Sequence, residues 1–320
     1  MPAQIHSLQN MFKPLATPAA LVSELSILTL VICGVIFITV AGLLTYTIIR
    51  FRYRSGQDRS EPAQVYGSNQ IEIAWTVIPI LIVFVLSMST ARITGAVQNK
   101  KIPADALNVT VVGHRWWWEF RYPDLKITTA NELHVPLSTP SQPKLTLLTL
   151  KSGDVVHSFW VPQLAGKTDV IPNRTNTMWI DPQEAGVYLG NCAAYCGTQH
   201  ANMLLRVVVD TPEEFDRWVQ EQKQPAAPPD SEQNRKAFLS SACIACHTVQ
   251  GTTARGKSGP DLTHMMSRQT LASGAIPNTP ESLRAWIQDP QKFKPGNLMP
   301  AVKLKDGQLD EMVAYLLTLR

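Results

Sequence analysis

The sequence predicts a membrane hairpin of two helices, then a β-sandwich or barrel, then a small all-α domain. Three observations carry this. No charged residue occurs from Leu25 to Ile49, nor from Ile73 to Ala91. From Leu107 onward apolar residues alternate with polar ones, as in Leu107-Asn-Val-Thr-Val-Val and Leu145-Thr-Leu-Leu-Thr-Leu. After a Pro-Ala-rich stretch, the rest mixes short helical patterns with loops rich in Gly and Pro. The expected boundaries are 1–104 for the lead and two helices (about 25–49 and 73–95), and 105–212 for the β domain. A short helix and linker (213–231) and the helical domain (232–320) complete them.

A run of about 20 apolar residues spans a bilayer as a helix. A core helix of a soluble protein seldom sustains that length without a charge, and here two such runs stand in tandem. Between them lie Arg50, Arg52, Arg54 and Arg59 against Asp58 and Glu61. An excess of Lys and Arg marks the cytoplasmic side, so both termini, and everything after Arg92, are expected outside. The lead contains Pro2, Pro14 and Pro18 and no continuous apolar core, so the first helix is expected to insert directly. Pro79 inside the second helix is tolerated where neighbouring groups satisfy the freed carbonyl. The net charge of +4 is partly owed to the loop, and no feature points to nucleic acid.

In the β domain, turns at Tyr122-Pro-Asp, Lys151-Ser-Gly-Asp and Asp181-Pro-Gln punctuate short strands, the pattern of a sandwich or barrel that ends near Val209. Thr211-Pro-Glu-Glu opens a short helix, with threonine as N-cap and proline in the first turn. The segment from Gln220 to Gln233 contains Pro225-Ala-Ala-Pro-Pro, a semi-rigid linker expected to let the last domain pivot. Asp306 to Leu319 has helical periodicity in Leu309, Met312, Val313, Leu316 and Leu317.

Four of the five cysteines fall in two short clusters. The first runs Cys192-Ala-Ala-Tyr-Cys196-Gly-Thr-Gln-His200-Ala-Asn-Met203. Two thiolates, an imidazole and a thioether form a soft set that suits copper rather than magnesium or calcium. A disulfide is the competing reading, and the adjacent His200 and Met203 speak against it. One cysteine suffices for a mononuclear blue-copper site, so the second suits a centre of two coppers bridged by both sulfurs. His157, upstream on a strand-like segment, is the candidate for a second imidazole. The other cluster, Cys243-Ile-Ala-Cys246-His247, spells the pattern that attaches c-type haem through two thioethers and ligates iron through histidine. Zinc would need another ligand pair afterwards, and only His264 follows. Cys33, alone in the first helix, reads as a small apolar residue.

Residues of about 20–210 resemble cytochrome c oxidase subunit II. The motifs are Glu72-Ile-Ala-Trp75-Thr-Val-Ile-Pro79, Gly113-His-Arg-Trp116-Trp-Trp118-Glu-Phe-Arg-Tyr122-Pro and Asp154-Val-Val-His157-Ser-Phe. Lys167-Thr-Asp169-Val-Ile-Pro172-Asn-Arg174-Thr-Asn176 and the cysteine loop complete the series. The resemblance implies a cupredoxin-like domain carrying the binuclear copper centre CuA. It implies Cys192 and Cys196 as bridging thiolates, His157 and His200 as terminal ligands, and Met203 and the Ala194 carbonyl as weak ligands. It also implies Trp116 as the point where electrons arrive and Glu72 at the mouth of a proton path into subunit I. Asp154, Lys167, Asp169 and Arg174 are expected to support ligands or contact partners, and Trp117 and Trp118 to pack. The family usually has glutamate at position 194, whose side chain reaches an interface magnesium; Ala194 keeps the carbonyl and lacks that ligand.

The C-terminal part resembles a small class I cytochrome c, through Gly259-Pro260-Asp261-Leu262 and Asn297-Leu-Met299-Pro300. This implies one covalent haem c with His247 proximal and Met299 distal, ahead of Met265 and Met266. Histidine–methionine ligation raises the potential, which suits a donor to copper. The fused arrangement is similar to caa-type bacterial oxidases. It implies a two-pass protein of the bacterial plasma membrane, with both metal domains on the periplasmic face. Implied partners are subunit I, subunit III and an external donor, either a cytochrome c or a quinol-oxidising complex. The chain itself would carry electrons and not reduce oxygen. Two rival readings stay open: a CuA-containing subunit of a nitric oxide reductase, and a tethered electron-transfer protein with no oxidase partner.

Overall fold

The computed structural model describes residues 5–6, 10–53, 61, 64 and 66–320. Two compact units emerge, one of Leu21–Lys101 and one of Met1–Ala20 with Ile102–Arg320. The loop charges Arg54, Asp58 and Arg59, and Pro2 of the lead, lie outside the described residues.

Helices α1 (Thr17–Arg50) and α2 (Asn69–Gln98) account for the membrane-length unit. No described side chain of α2 is buried, and large apolar groups such as Phe37, Ile38, Trp75 and Phe84 stand exposed. Such a surface suits lipid or other helices. The hydroxyls of Ser26, Thr29, Thr39, Thr47 and Thr76 each donate to the carbonyl four residues back. A spanning helix must satisfy its polar groups internally, and these do. Helix α1 starts earlier than the expected position of about 25. Pro18 sits in its first turn, where no hydrogen bond is lost. The Thr17 N–H and Oγ1 donate to the two carboxylate oxygens of Asp181, at 2.8 and 2.6 Å.

The larger unit begins with a two-sheet sandwich. Its strands are β1 (Ile5–His6), β2 (Leu107–His114), β3 (Trp117–Tyr122), β4 (Ile127–Ala130), β5 (Glu132–Pro136) and β6 (Thr146–Ser152). They continue with β7 (His157–Trp160), β8 (Thr168–Val170), β9 (Asn176–Ile180), β10 (Gly186–Cys192) and β11 (Leu204–Asp210). One sheet has the order β5-β11-β10-β7-β8 with β1 beside β10, and the other β4-β3-β2-β6-β9. Alternation puts Trp118, Phe120 and Tyr122 of β3 inward, against Leu148, Leu150, Phe159 and Tyr188. The Tyr122 hydroxyl donates to the His134 carbonyl and accepts the His134 N–H, each at 2.9 Å. The first of these sheets brings β7 and β10 side by side, pairing Cys192 with Phe159. That pairing sets the first cluster.

Helix α3 (Pro212–Gln222) has the expected cap: Thr211 accepts the Glu214 N–H while the Glu214 carboxylate accepts the Thr211 N–H. The linker is fastened rather than free to pivot. Gln222 bonds to Ser267, the Gln224 carbonyl accepts from His264 Nε2, and Ala226 packs on the second core. That core holds Phe238, Met265, Leu283, Ile287, Met312, Tyr315 and Leu316. Apart from Met265, which lies on a short turn at Met265–Ser267, these come from α4 (Glu232–Leu239), α5 (Pro280–Gln288) and α7 (Gln308–Leu317), and α6 (Pro290–Phe293) lies between the last two. A two-stranded hairpin, β12 (Thr270–Leu271) and β13 (Ile276–Pro277), accompanies the helices.

Candidate metal centres

The first cluster closes at the end of β10. Cys192 is the last residue of that strand, His157 opens β7, and Cys196, His200 and Met203 lie on the loop to β11. His157, Cys192 and Cys196 are buried, and their ligand atoms all lie within 4.8 Å of one another. The two sulfurs are 3.8 Å apart, too far for a disulfide bond. His157 Nδ1 approaches Cys192 Sγ at 4.0 Å, and His200 Nδ1 approaches Cys196 Sγ at 3.6 Å. Met203 Sδ stands 3.8 Å from Cys196 Sγ, and the Ala194 carbonyl 3.2 Å from Cys192 Sγ. Each thiol therefore has one imidazole and one weaker donor beside it.

Asp154 turns His157. Its Oδ1 lies 2.8 Å from His157 Nε2, which leaves Nδ1 for the cluster. Burial pulls the His157 imidazole down, but the bonds to Asp154 and Cys192 outweigh it and leave the group above its ordinary value. Burial pushes Asp154 up, and the donors His157, Val155 and Arg115 more than reverse that. The hydrogen bond from Cys196 is the main cause that favours Cys192 as thiolate, and the same contact holds Cys196 protonated. Two thiolates this close repel each other, so ionising both needs cations between them. The donors present therefore fit a copper pair. Lys167, Asp169 and Arg174 are exposed and none lies in the cluster.

Trp116 is buried at the β2–β3 turn, and its Nε1 donates to the Cys196 carbonyl at 2.9 Å. Trp118 is fully buried and Trp117 stacks on His114 at 4.4 Å. Glu72 lies exposed in the first turn of α2.

The second centre is a cavity of about 340 Å³, lined by Cys243, Cys246, His247 and Met299 with largely apolar walls. His247 Nδ1 donates to the Pro260 carbonyl at 2.8 Å, leaving Nε2 free. Burial holds this imidazole below its ordinary value, and so neutral, the form that ligates metal. Gly259 gives the ring room: a Cβ there would sit 2.7 Å from His247 Cε1. Met299 is held from both sides, its N–H by Asn297 Oδ1 and its carbonyl by Gln291 Nε2. Arg268 also lines the cavity, and its buried Nε has no hydrogen-bond partner among the described residues. An orphaned guanidinium N–H in an apolar pocket fits a group that carries carboxylates, as haem does. Met265 lines the same cavity but belongs to the core. His264 bonds to the carbonyls of Arg320 and Gln224 and is not part of a metal cluster.

A membrane-anchored oxidoreductase subunit, with a cysteine–histidine metal cluster and a cytochrome c fold on one chain, is the class these features define. The chain belongs to the cytochrome c oxidase subunit 2 family. Residues 5–93 match "Cytochrome C oxidase subunit II, transmembrane domain", residues 129–211 match "Cytochrome C oxidase subunit II, periplasmic domain", and residues 232–320 match "Cytochrome c". Cytochrome c oxidase subunit 2 of Alkalihalophilus pseudofirmus is 33% identical over 302 residues, covering 92% of this chain and 86% of that protein. The Bacillus subtilis counterpart is 32% identical over 325 residues, covering 95% and 90%. Among solved structures, the periplasmic domain of cytochrome oxidase subunit II of Bradyrhizobium japonicum is similar at 29% identity and a TM-score of 0.36. It covers 38% of this chain and 97% of that one.

The chain is thus a two-pass membrane subunit of a haem-copper oxidase, whose family implies copper and haem c. Sequence reasoning missed Glu132, Arg268 and Lys294. Arg268 and Lys294 line the second cavity, and Glu132 and Lys294 find their partners only in distant segments.

Proposed function

We propose that this chain takes electrons from an external donor at haem c and passes them through CuA to subunit I, where oxygen is reduced. The observation that carries this is the pairing of each thiol with its own imidazole and weaker donor, beside a separate His–Met cavity on the same chain. Cys192, Cys196, His157, His200, Met203 and the Ala194 carbonyl would hold two coppers. Cys243 and Cys246 would attach one haem c, and His247 and Met299 would hold its iron. When bound, these groups supply one-electron redox chemistry.

The chain's own residues supply the setting. Asp154 fixes the His157 ring, Pro260 fixes His247, and Asn297 and Gln291 fix Met299. His157, Cys192, Cys196 and Met203 are buried, which limits movement and keeps water from the first centre. Trp116, bonded to the Cys196 backbone, is the aromatic bridge on the side facing the haem cavity, which it also lines. Glu72 would open the proton path toward subunit I. Both metal domains would face the periplasm, with the basic loop inside. Subunit III and a cytochrome c or quinol-oxidising donor are the further partners.

Purification from native membranes tests the reading. Haem a co-purifying with this chain, with oxygen uptake and visible bands of haem c, is the expected result. Nitric oxide consumption without oxygen uptake, or isolation without any large subunit, would overturn it.

A further inference from the structure

We propose that Lys294, reciprocated by Glu132, is a positioning latch that sets the haem-bearing part against the copper loop and couples the Met299 loop to Trp116. The proposal rests on reading the two centres as haem and copper sites.

Both side chains are charged groups taken almost fully out of water: Glu132 is 2% exposed and Lys294 3%. Each comes from one part of the chain and finds partners in the other, and Lys294 bonds in addition to Ala272 of its own part. Glu132, on β5, accepts the N–H groups of Gln269 and Thr270 and the Thr270 hydroxyl, all at 2.9 Å. Lys294, just after α6, donates to the carbonyls of Trp116 and Asn202 at 2.9 Å and of Ala272 at 3.2 Å. Three carbonyls match the three N–H bonds of an ammonium. Burial pushes this ammonium down to about 7, and the three carbonyls favour its charged form. Among the described residues, neither group forms a salt bridge.

Charge–backbone bonds of this kind specify orientation more than affinity. Separation lets water take over each charge. Any other docked arrangement buries one charge without its acceptors or donors, which is strongly unfavourable. Further hydrogen bonds of the same surface agree: Gln199 to the Pro295 carbonyl, the Arg206 guanidinium to Gln269, and Ser273 to the Leu204 carbonyl.

Lys294 also lies on a run of hydrogen bonds, joined through the covalent frames of Trp116, Lys294 and Asn297, that links the cysteine loop to the Met299 loop. Cys196 O accepts from Trp116 Nε1 at 2.9 Å, and Trp116 O accepts from Lys294 Nζ at 2.9 Å. Lys294 O accepts from Asn297 Nδ2, and Asn297 Oδ1 accepts the Met299 N–H, both at 2.7 Å. Arg115, Trp116, Trp117 and Asn131 complete the wall of the cavity that holds Met299. The sandwich therefore supplies one wall of the cavity, and Lys294 sets how that wall sits.

The test uses the full-length chain in its purified complex, with Lys294→Met, Glu132→Gln and, as control, the exposed Lys303→Met. Haem and copper content, the haem midpoint potential, and the rate of haem–copper electron equilibration after flash reduction are measured. Expected is unchanged haem and copper, an altered haem potential, and equilibration slowed at least tenfold in Lys294→Met. A smaller slowing is expected in Glu132→Gln, which keeps an acceptor oxygen, and none in the control. Wild-type potential and rate in both latch variants overturn the proposal and leave the functional reading intact. Absence of haem c or copper from the wild-type chain overturns the functional reading instead. If Lys294→Met does not assemble, Glu132→Gln and hydrogen exchange of residues 290–299 decide. Exchange there unchanged in Glu132→Gln, with wild-type rate, overturns the latch; faster exchange with a slowed rate supports it.

Discussion

Replacing Gly197 by alanine should unseat Trp116 from the cysteine loop. Gly197 has φ of +115°, a conformation that costs an L side chain about 1–3 kcal/mol. The new Cβ would also lie 2.9 Å from Trp116 Cζ2 and 3.4 Å from Nε1. Because Trp116 is buried, the ring cannot swing aside freely, and such overpacking costs about 1–3 kcal/mol. Movement of the ring stretches the Nε1 bond to the Cys196 carbonyl, worth about 1 kcal/mol. The sum is about 3 kcal/mol or more. For a unit of this size each kcal/mol shifts Tm by about 2–4 °C, so a fall of about 6–12 °C is expected. Thermal unfolding of the full-length chain in detergent, followed by near-ultraviolet circular dichroism, measures it. A double-mutant cycle with Trp116→Leu separates the causes. Without the indole, Gly197→Ala should cost only the backbone strain, about 1–3 kcal/mol. Equal cost in both backgrounds would refute the claim that the indole is seated against this glycine.

Cys196→Ser should remove the two-copper signal in electron paramagnetic resonance while covalent haem remains, because the second sulfur is what a mononuclear site does not need. A two-copper signal in that variant contradicts the assignment. Ala194→Glu should leave copper content unchanged but raise bound manganese or magnesium in the intact complex, since the carbonyl stays and a hard oxygen is added; metal analysis decides, and lost copper counts against a backbone role. In Glu119, burial pushes the carboxyl up, but hydrogen bonds from His114 and Arg121 bring it down to about 2. A folded-state value below the unfolded one gives stability that is full above about pH 4.5 and is lost as pH falls toward 2. Glu119→Gln should flatten acid unfolding across that window, and an unchanged profile would discount the pair.

The parts legible in the sequence were those coded locally. Cys192, Cys196, His200 and Met203 share one loop, and Cys243, Cys246 and His247 share another, so their chemistry shows in spacing alone. His157 was readable only from the need of the cysteine cluster for a further imidazole, because a strand histidine by itself says little until β7 and β10 pair. The Thr211 cap was readable for the same local reason. The start of α1 was not, since the Asp181 carboxylate that meets Thr17 comes from far along the chain. Glu132 and Lys294 were invisible for a related cause. Lys294 sits in a Gln-Lys-Phe-Lys-Pro run that reads as a solvated basic stretch, and its acceptor Trp116 lies 178 positions away. Likewise, Pro225-Ala-Ala-Pro-Pro reads as a free linker, and only the bonds at Gln222 and Gln224 show it fastened.

The two imidazoles that anchor the centres are spent in opposite ways. His157 gives its outer nitrogen, Nε2, to Asp154 and keeps Nδ1, while His247 gives Nδ1 to Pro260 and keeps Nε2. Nδ1 is the ring nitrogen nearer the backbone, so His157 is a short arm that draws its partner in against the strand. Nε2 is the far one, so His247 is a long arm that would hold a bound group clear of its own loop. The same residue type thus works at two reaches within one chain. In each case the unused reach is closed off, because the other nitrogen is already committed.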